Sequence, residues 1–362
     1  MPIEYGYQQV FALAVEHKAS DIYLAPYKQP ILRIKNRFVP VAGDPMTVEE
    51  CNQMILDTMT EKQRHDFIND LDIDYGLQIK DVGRFRVNVF TASGAYELVA
   101  RPVAENPPTI DELGLPDGIE VITKASKSGI IVVTGATGSG KTSTLAAMIN
   151  YMNTHMEKKI VTIEDPIEII HASKKSSISQ RELYKDTKTF DVALRAAMRQ
   201  RPDVILIGEM RDRETVNTAI NASESGHLVL STLHSINAQE TIARILDFYP
   251  LDEQQQVRNL LAQTIRGIVA QKLIVDKDDK TRPLIEIMTQ SLRTQEAIRD
   301  PEKTHGLQDI MRDSNYDNMQ TFDSHLLAMI SDDIITPKQA IAYSENAEKM
   351  ARELKNQGLT GF

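Results

Sequence analysis

The sequence predicts an α/β protein, on three observations. Between about residues 118 and 292, short apolar segments alternate with segments of helical periodicity, the pattern of a mostly parallel sheet covered on both faces. Residues 1–104 instead mix short strands with helices, and the polar stretch Glu105-Asn-Pro-Pro-Thr109 interrupts the chain between the two regions. Residues 293–362 read as helical. The expected organisation is an N-terminal α/β domain (1–104), a linker (105–117), an α/β core (118–292) and a C-terminal helical region (293–362), and a length of 362 residues suits about two domains.

The elements follow in order. Tyr7 to His17 has the spacing of an amphipathic helix. Asp21 to Leu24 and Ile31 to Ile34 form strands around a turn at Pro26 to Pro30. Thr47 starts a helix, with Glu50 placed to complete a capping box. From Gly83 to Phe90, Phe85, Val87 and Val89 alternate with Arg84, Arg86 and Asn88, the period of a half-buried strand. In the core, Gly129 to Val133, Ile160 to Ile163, Val204 to Ile207 and Leu228 to Leu230 are strands. Thr142 to Met152 and Phe190 to Gln200 are helices between them. Later, Thr336-Pro337-Lys338-Gln339 supplies an N-cap, a proline at the first helical position and a capping-box glutamine, and Gly358 stops the last helix.

Composition excludes several classes. Hydrophobic residues at 41% and charged residues at 25% are those of a globular chain. Cys51 is the single cysteine, so neither an intramolecular disulfide nor a four-cysteine zinc site is available. No run of about 18 apolar residues spans a membrane. Glu4 and the lack of a basic segment before the first apolar residues argue against a secretory signal, which points to the cytoplasm. A net charge of −10, no tryptophan and 6% aromatics argue against a nucleic-acid-binding protein.

Four stretches carry chemistry. Gly135, Ala136, Thr137, Gly138, Ser139, Gly140, Lys141 and Thr142 fit G-x-x-x-x-G-K-[ST], with a strand before and a helix after. Backbone N–H groups at a positive helix N-terminus converge there on phosphate oxygens, and the glycines allow the close approach. Lys141 brings a charge to the β and γ phosphates, the Thr142 hydroxyl ligates Mg²⁺, and Ser143 completes the nucleotide-binding set. The reading is therefore ATP with Mg²⁺. The bland alternative is a chance Gly/Ser-rich turn, which the flanking strand and helix oppose.

Glu164-Asp165-Pro166-Ile167-Glu168 follows a strand, where ligands of open α/β sheets bind. A solvated Asp-Pro turn is the alternative, and Glu164 is the strongest functional candidate of the three acids. Asp203 to Arg211 contains a strand ending in Gly208-Glu209. Glu209 is the candidate general base, reaching the metal through a water, against the alternative of a helix-start carboxylate near Arg211 and Arg213. Gly226 to His234 brackets a strand with two histidines seven apart, so in an extended strand they face opposite sides, which speaks against a zinc site. His234, at the strand end, is the candidate sensor of the γ-phosphate or water; a lone histidine is otherwise a satisfied structural residue, and the role of His227 stays open.

Together these stretches resemble the Walker A, Asp box, atypical Walker B and His box of the type II/type IV pilus secretion ATPases, most closely the type IV pilus retraction ATPases of the PilT/PilU family. Ala19 to Leu24, Gly83 to Asn88, Ser173 to Glu182 and Met319 to Asp323 are similar to family segments, so the resemblance covers nearly the whole chain. It implies a PAS-like N-terminal domain, a RecA-like P-loop ATPase core and a C-terminal helical tail, assembled as a homo-hexameric ring that powers pilus retraction. The ring would dock on an inner-membrane platform protein at the cytoplasmic face, with a paralogous retraction ATPase as a further partner. It also implies that Arg84, Arg86 and Arg101 reach the nucleotide as arginine fingers, whereas the alternation alone makes Arg84 and Arg86 a solvated strand face. Two departures stand out. The late A-[IV]-R-N-L-I-R-E motif becomes Ala297-Ile-Arg-Asp300-Pro301-Glu302-Lys303, and Pro26-Tyr27-Lys28 replaces a glycine-containing turn. The first keeps open a PilU-like accessory role, and the single cysteine weakens an assembly or secretion ATPase.

Overall fold

The computed structural model describes residues 6–103, 106–314 and 318–359; the expectations drawn from Glu4 and Glu105 lie outside them. The chain forms two compact units: the first runs to Asn106 and takes in Pro166–Ile170, and the second holds Pro107–Asp165 and the chain from His171 onward.

The first unit contains α1 (Tyr7–Glu16), β1 (Asp21–Leu24), β2 (Ile31–Ile34), β3 (Arg37–Pro40), α2 (Val48–Leu56), α3 (Glu61–Asp70), β4 (Asp72–Ile79), β5 (Gly83–Ala92) and β6 (Ala95–Pro102). The strands pair antiparallel in the order β3-β2-β1-β6-β5-β4. Helix α2 starts as its sequence dictates: the Thr47 hydroxyl accepts from Glu50 N–H at 3.2 Å and the Glu50 carboxylate accepts from Thr47 N–H at 2.8 Å. The alternation in β5 buries Phe85, Val87 and Val89, with Phe85 edge-on to Phe11 of α1 at 4.7 Å. In the Pro26-Tyr27-Lys28 turn, Tyr27 takes a left-handed conformation (φ 60°) and stays exposed.

The second unit contains α4 (Asp117–Ala125), β7 (Gly129–Thr134), α5 (Lys141–His155), β8 (Lys159–Glu164), β9 (Ser177–Glu182), α6 (Phe190–Met198), β10 (Val204–Ile207), α7 (Arg213–Glu224), β11 (Leu228–Leu233), α8 (Ala238–Leu246), α9 (Leu251–Thr264), β12 (Ile265–Val275) and β13 (Thr281–Thr289). There follow α10 (Leu292–Arg299), a 3₁₀ turn (Thr304–Gly306), α11 (Leu307–Arg312), α12 (Phe322–Ser331), α13 (Pro337–Tyr343) and α14 (Ala347–Asn356). The sheet order is β13-β12-β7-β11-β10-β8-β9, parallel except for β13, which returns antiparallel on β12. All six residues of β7 are buried, as a strand covered on both faces requires. Val132, Val161 and Ile205 face one apolar layer, while Ile131 and Val133 face another built with α4 and α5. Helices α12 to α14 close over Ala270, Ile274 and Leu284 of the β12–β13 hairpin. Helix α10 ends at Arg299, two residues before Pro301, whose ring and missing N–H cannot continue it.

Candidate active site

The parallel strands carry their chemistry at their carboxyl ends. β7 ends at Thr134, and the chain turns at Gly135 into a loop that becomes α5 at Lys141. A Cβ on Gly135 would lie 2.3 Å from the backbone oxygen of Gln271 and 2.6 Å from Ser139 Oγ, so only glycine fits. Gly138 (φ 79°) and Gly140 (φ 91°), the N-cap, hold left-handed conformations that glycine adopts without penalty. Ala136, Thr137 and Gly138 are exposed, Ser139 and Lys141 are buried, and Thr142 and Ser143 sit half-buried in the first turn of α5. The loop thus presents backbone N–H groups and a helix N-terminus to an anion. Gly135→Ala is expected to destabilise the protein by about 3 kcal/mol, because backbone cannot yield to the new methyl. A shift in the denaturation midpoint checks this, and an unchanged midpoint would contradict the steric account.

Lys141 Nζ donates to the carbonyls of Gly135 (2.8 Å) and Ala136 (2.9 Å) and lies 3.5 Å from Nδ1 of His234. An ammonium only donates, so Nδ1 is the acceptor and the proton sits on Nε2. That Nε2 lies 3.4 Å from Glu209 Oε1, while Glu209 Oε2 accepts from Arg211 Nε at 2.7 Å. A polar chain therefore runs Lys141–His234–Glu209–Arg211. Glu209 holds the Arg211 guanidinium still more firmly in its charged form, through that hydrogen bond first.

The neighbouring strand ends are fixed to one another. Thr232 Oγ1 donates to Gly208 O at 2.7 Å, and Met210 N–H donates to Thr232 O at 3.1 Å, so the residues flanking Glu209 are tied to β11. Glu164 ends β8, next to β10 in the sheet. It is buried, and its Oε1 accepts from Thr162 Oγ1 at 2.6 Å and Gln180 Nε2 at 3.2 Å. Asp165 lies 3.9 Å from Arg211.

The structure thus brings Lys141, His234 and Glu209 together. Glu168 does not join them: within the first unit it accepts from Arg86 at 3.0 Å. His227, at the other end of β11, contacts Ala222 O through Nδ1 at 2.9 Å, a structural capping role. Arg84, Arg86 and Arg101 share one face of the first unit's sheet, Arg86 directly opposite Arg101. Like charges in that register repel. Acids relieve them: Glu168 on Arg86, and Asp21 on Arg101 at 2.7 Å. The solvated-face expectation fails for Arg84, which is buried, and holds in part for Arg86.

Sequence reasoning missed two supports. Gln271 of β12 floors the phosphate loop: its backbone oxygen faces Gly135, and its side chain accepts from Thr144 Oγ1 at 2.7 Å. Thr134 Oγ1 accepts from Ser235 N–H at 2.9 Å and so fixes the residue after His234.

Comparison with known proteins gives the family. The family model described as type II/IV secretion system protein matches residues 1–360. The chain is 36% identical to the type IV pilus ATPase PilU of Pseudomonas aeruginosa over 350 residues, covering 96% of this chain and 91% of that one. It is 35% identical to the type IV pilus retraction ATPase PilT of the same organism over 332 residues, covering 92% and 96%. The crystal structure of the pilus retraction motor PilT with bound ADP superposes with a TM-score of 0.88 at 36% identity, covering 96% of this chain and all of that one. Matched over nearly its whole length and carrying an intact phosphate loop, the chain belongs to the type II/IV secretion system protein family, as a P-loop ATPase related to PilT and PilU.

Proposed function

We propose that this protein hydrolyses ATP to drive type IV pilus retraction, working as a homo-hexameric ring on an inner-membrane platform protein at the cytoplasmic face. The observation that carries the enzymatic part is the alignment of Lys141, His234 and Glu209 at adjacent strand ends. In hydrolysis, water oxygen bonds to the γ-phosphorus as the bond to the bridging oxygen breaks, and the electron pair leaves on ADP. Glu209 orients the water and takes its proton. Lys141 turns from its loop carbonyls to the phosphates, and His234 senses the γ-phosphate. The half-buried Thr142 in the first turn of α5 fits a Mg²⁺ ligand, with Glu209 reaching that ion through water; the metal would neutralise phosphate charge there. Glu164, already bonded to Thr162 and Gln180, takes a supporting place beside it.

Glu209→Gln tests this assignment. It keeps the size and gives up the basicity, so turnover is expected to fall about 10²-fold with ATP binding intact. Turnover within a few-fold of wild type would move the base role to Glu164.

A second reading, an accessory ring subunit beside a paralogous retraction ATPase, is favoured by the end of α10 at Arg299 before Pro301. Complementing a retraction-deficient strain with this chain alone separates the two. Restored retraction supports the autonomous motor, and failure despite ATPase activity supports the accessory role.

A further inference from the structure

We propose that Glu286 is a positioning residue for hydrolysis: its carboxylate, inside the second unit, fixes the start of α8 and thereby the loop that presents His234. Glu286 lies on β13 and is 1% exposed. One carboxylate oxygen accepts from the Ala238 N–H at 2.8 Å, and the other accepts from Gln308 Nε2 of α11 at 2.8 Å. Ala238 opens α8, whose N-cap Asn237 comes three residues after His234. The short connection is therefore held at both ends. On one side Thr134 takes the Ser235 N–H; on the other, Ser235 Oγ bonds Thr241 Oγ1 at 2.7 Å within the first turn of α8. Removing the carboxylate would leave the Ala238 N–H buried without its acceptor and would slacken the side of the loop that Thr134 does not hold.

The same contact extends to the C-terminal helices. Gln308 shares the carboxylate with α8, and Gln239 of α8 lies 3.3 Å from His305 Nδ1 in the 3₁₀ turn. A displacement of residues 305–308 would thus reach His234 through one buried side chain.

The anchor is also titratable. Burial pushes the Glu286 carboxyl up to about 7, against its two hydrogen bonds, which lower it. Lys272 on β12 favours the ionised form and Glu345, which precedes α14, opposes it; these two pair at 3.1 Å. His325 of α12 accepts from the next backbone N–H, that of Ile285, at 2.9 Å, and burial holds it neutral by pushing it down to about 4. On α8, Glu240 bonds the N–H of Ile236 at 3.3 Å. Ionised Glu286 accepts both of its bonds; protonated, one oxygen turns donor, so one of the two holds is lost and with it part of the fix on α8 and α11. The hydrolytic site should therefore loosen as pH falls through about 7. Stability runs the other way. A carboxyl whose folded value is raised contributes stability that is present below its ordinary value and lost as pH rises through the folded one.

The inference rests on the reading of His234 given above. The test measures kcat, KM and ATP binding of the full-length protein between about pH 5.5 and 9 for wild type, Glu286→Gln, Glu286→Ala and His234→Ala. Wild type should lose turnover on the acid side of a step near 7. Glu286→Gln, whose amide like the protonated acid accepts through one oxygen only, should hold the lower acid-side kcat at every pH and show no step, and its melting temperature should gain on wild type more at pH 8 than at pH 5. Glu286→Ala should cut kcat about 10-fold with ATP binding nearly unchanged, as a misplaced sensor does. A Glu286→Gln profile that keeps the wild-type step, or a folded Glu286→Ala with wild-type kcat, overturns the proposal. Unchanged turnover in His234→Ala overturns the reading of His234 and this inference with it, whereas a slowed His234→Ala beside unaffected Glu286 variants overturns the inference alone.

Discussion

Purified, folded Lys141→Ala protein is expected to lose at least about 10³-fold in ATP turnover and to bind nucleotide more weakly, as removal of a cation from a phosphate site predicts. Lys141 is buried at the base of the loop, within reach of the Gly135 and Ala136 carbonyls and of His234, so its ammonium is already concentrated where phosphate oxygens would arrive. Alanine keeps the helix, since it is the best helix former, and water can take over the exposed Ala136 carbonyl, while the buried Gly135 carbonyl loses this donor at a cost of about 1–3 kcal/mol. The fold should therefore survive while the charge is gone. Steady-state ATPase activity beside a thermal melt checks this. Wild-type turnover in a variant with an unchanged melt would remove the nucleotide site from this loop.

Arg86→Ala is expected to slow turnover about 10³-fold without unfolding the protein, the effect of losing an arginine finger. The three candidate arginines differ in what they would leave behind. Arg101 is bonded to Asp21, whose side chain is only 6% exposed, so its departure would leave a buried carboxylate held only by the Ser20 hydroxyl and a longer 3.9 Å contact to Arg33. Arg84 is itself buried in the strand, and its loss should cost stability first. Arg86 pairs with Glu168 at 3.0 Å, and both side chains are more than a third exposed, at 37% and 41%. Such a pair is worth at most about 1 kcal/mol, so exchanging Glu168 for another anion would cost the guanidinium little. Turnover and melting temperature of the three alanine variants, across protein concentration, distinguish them. Loss of stability without loss of turnover per folded molecule in Arg86→Ala would leave the arginine a structural role and the ring model without its finger.

The legible parts of the fold were those with a local cause. The capping boxes at Thr47 and Thr336, the strand Val204–Ile207 and the phosphate loop each depend on residues within a few positions, and all formed where their residue types demanded. Glu209 and His234 stand just past the ends of β10 and β11, as their sequence context predicts, where ligands of an α/β sheet bind. The remainder depends on partners distant in the chain. Gln271 meets the loop from 127 residues beyond Thr144, with no local pattern to mark it. Glu286 interrupts an apolar strand and reads as a flaw until Ala238 and Gln308 are seen to supply its hydrogen bonds. Arg84 occupies the polar phase of an alternating strand yet is buried, because periodicity assigns a face and says nothing of what covers it.

The arrangement of Lys141 has a kinetic corollary. Its ammonium is engaged by Gly135, Ala136 and His234, so a phosphate oxygen gains the lysine charge only by exchanging those contacts. Capture and commitment are then separate events. The second event also releases Nδ1 of His234, the ring that touches Glu209 through Nε2, so an exchange at Lys141 is passed on to the Glu209 carboxylate. A weak anion that fails to displace the lysine would leave the Glu209 carboxylate bonded to Arg211.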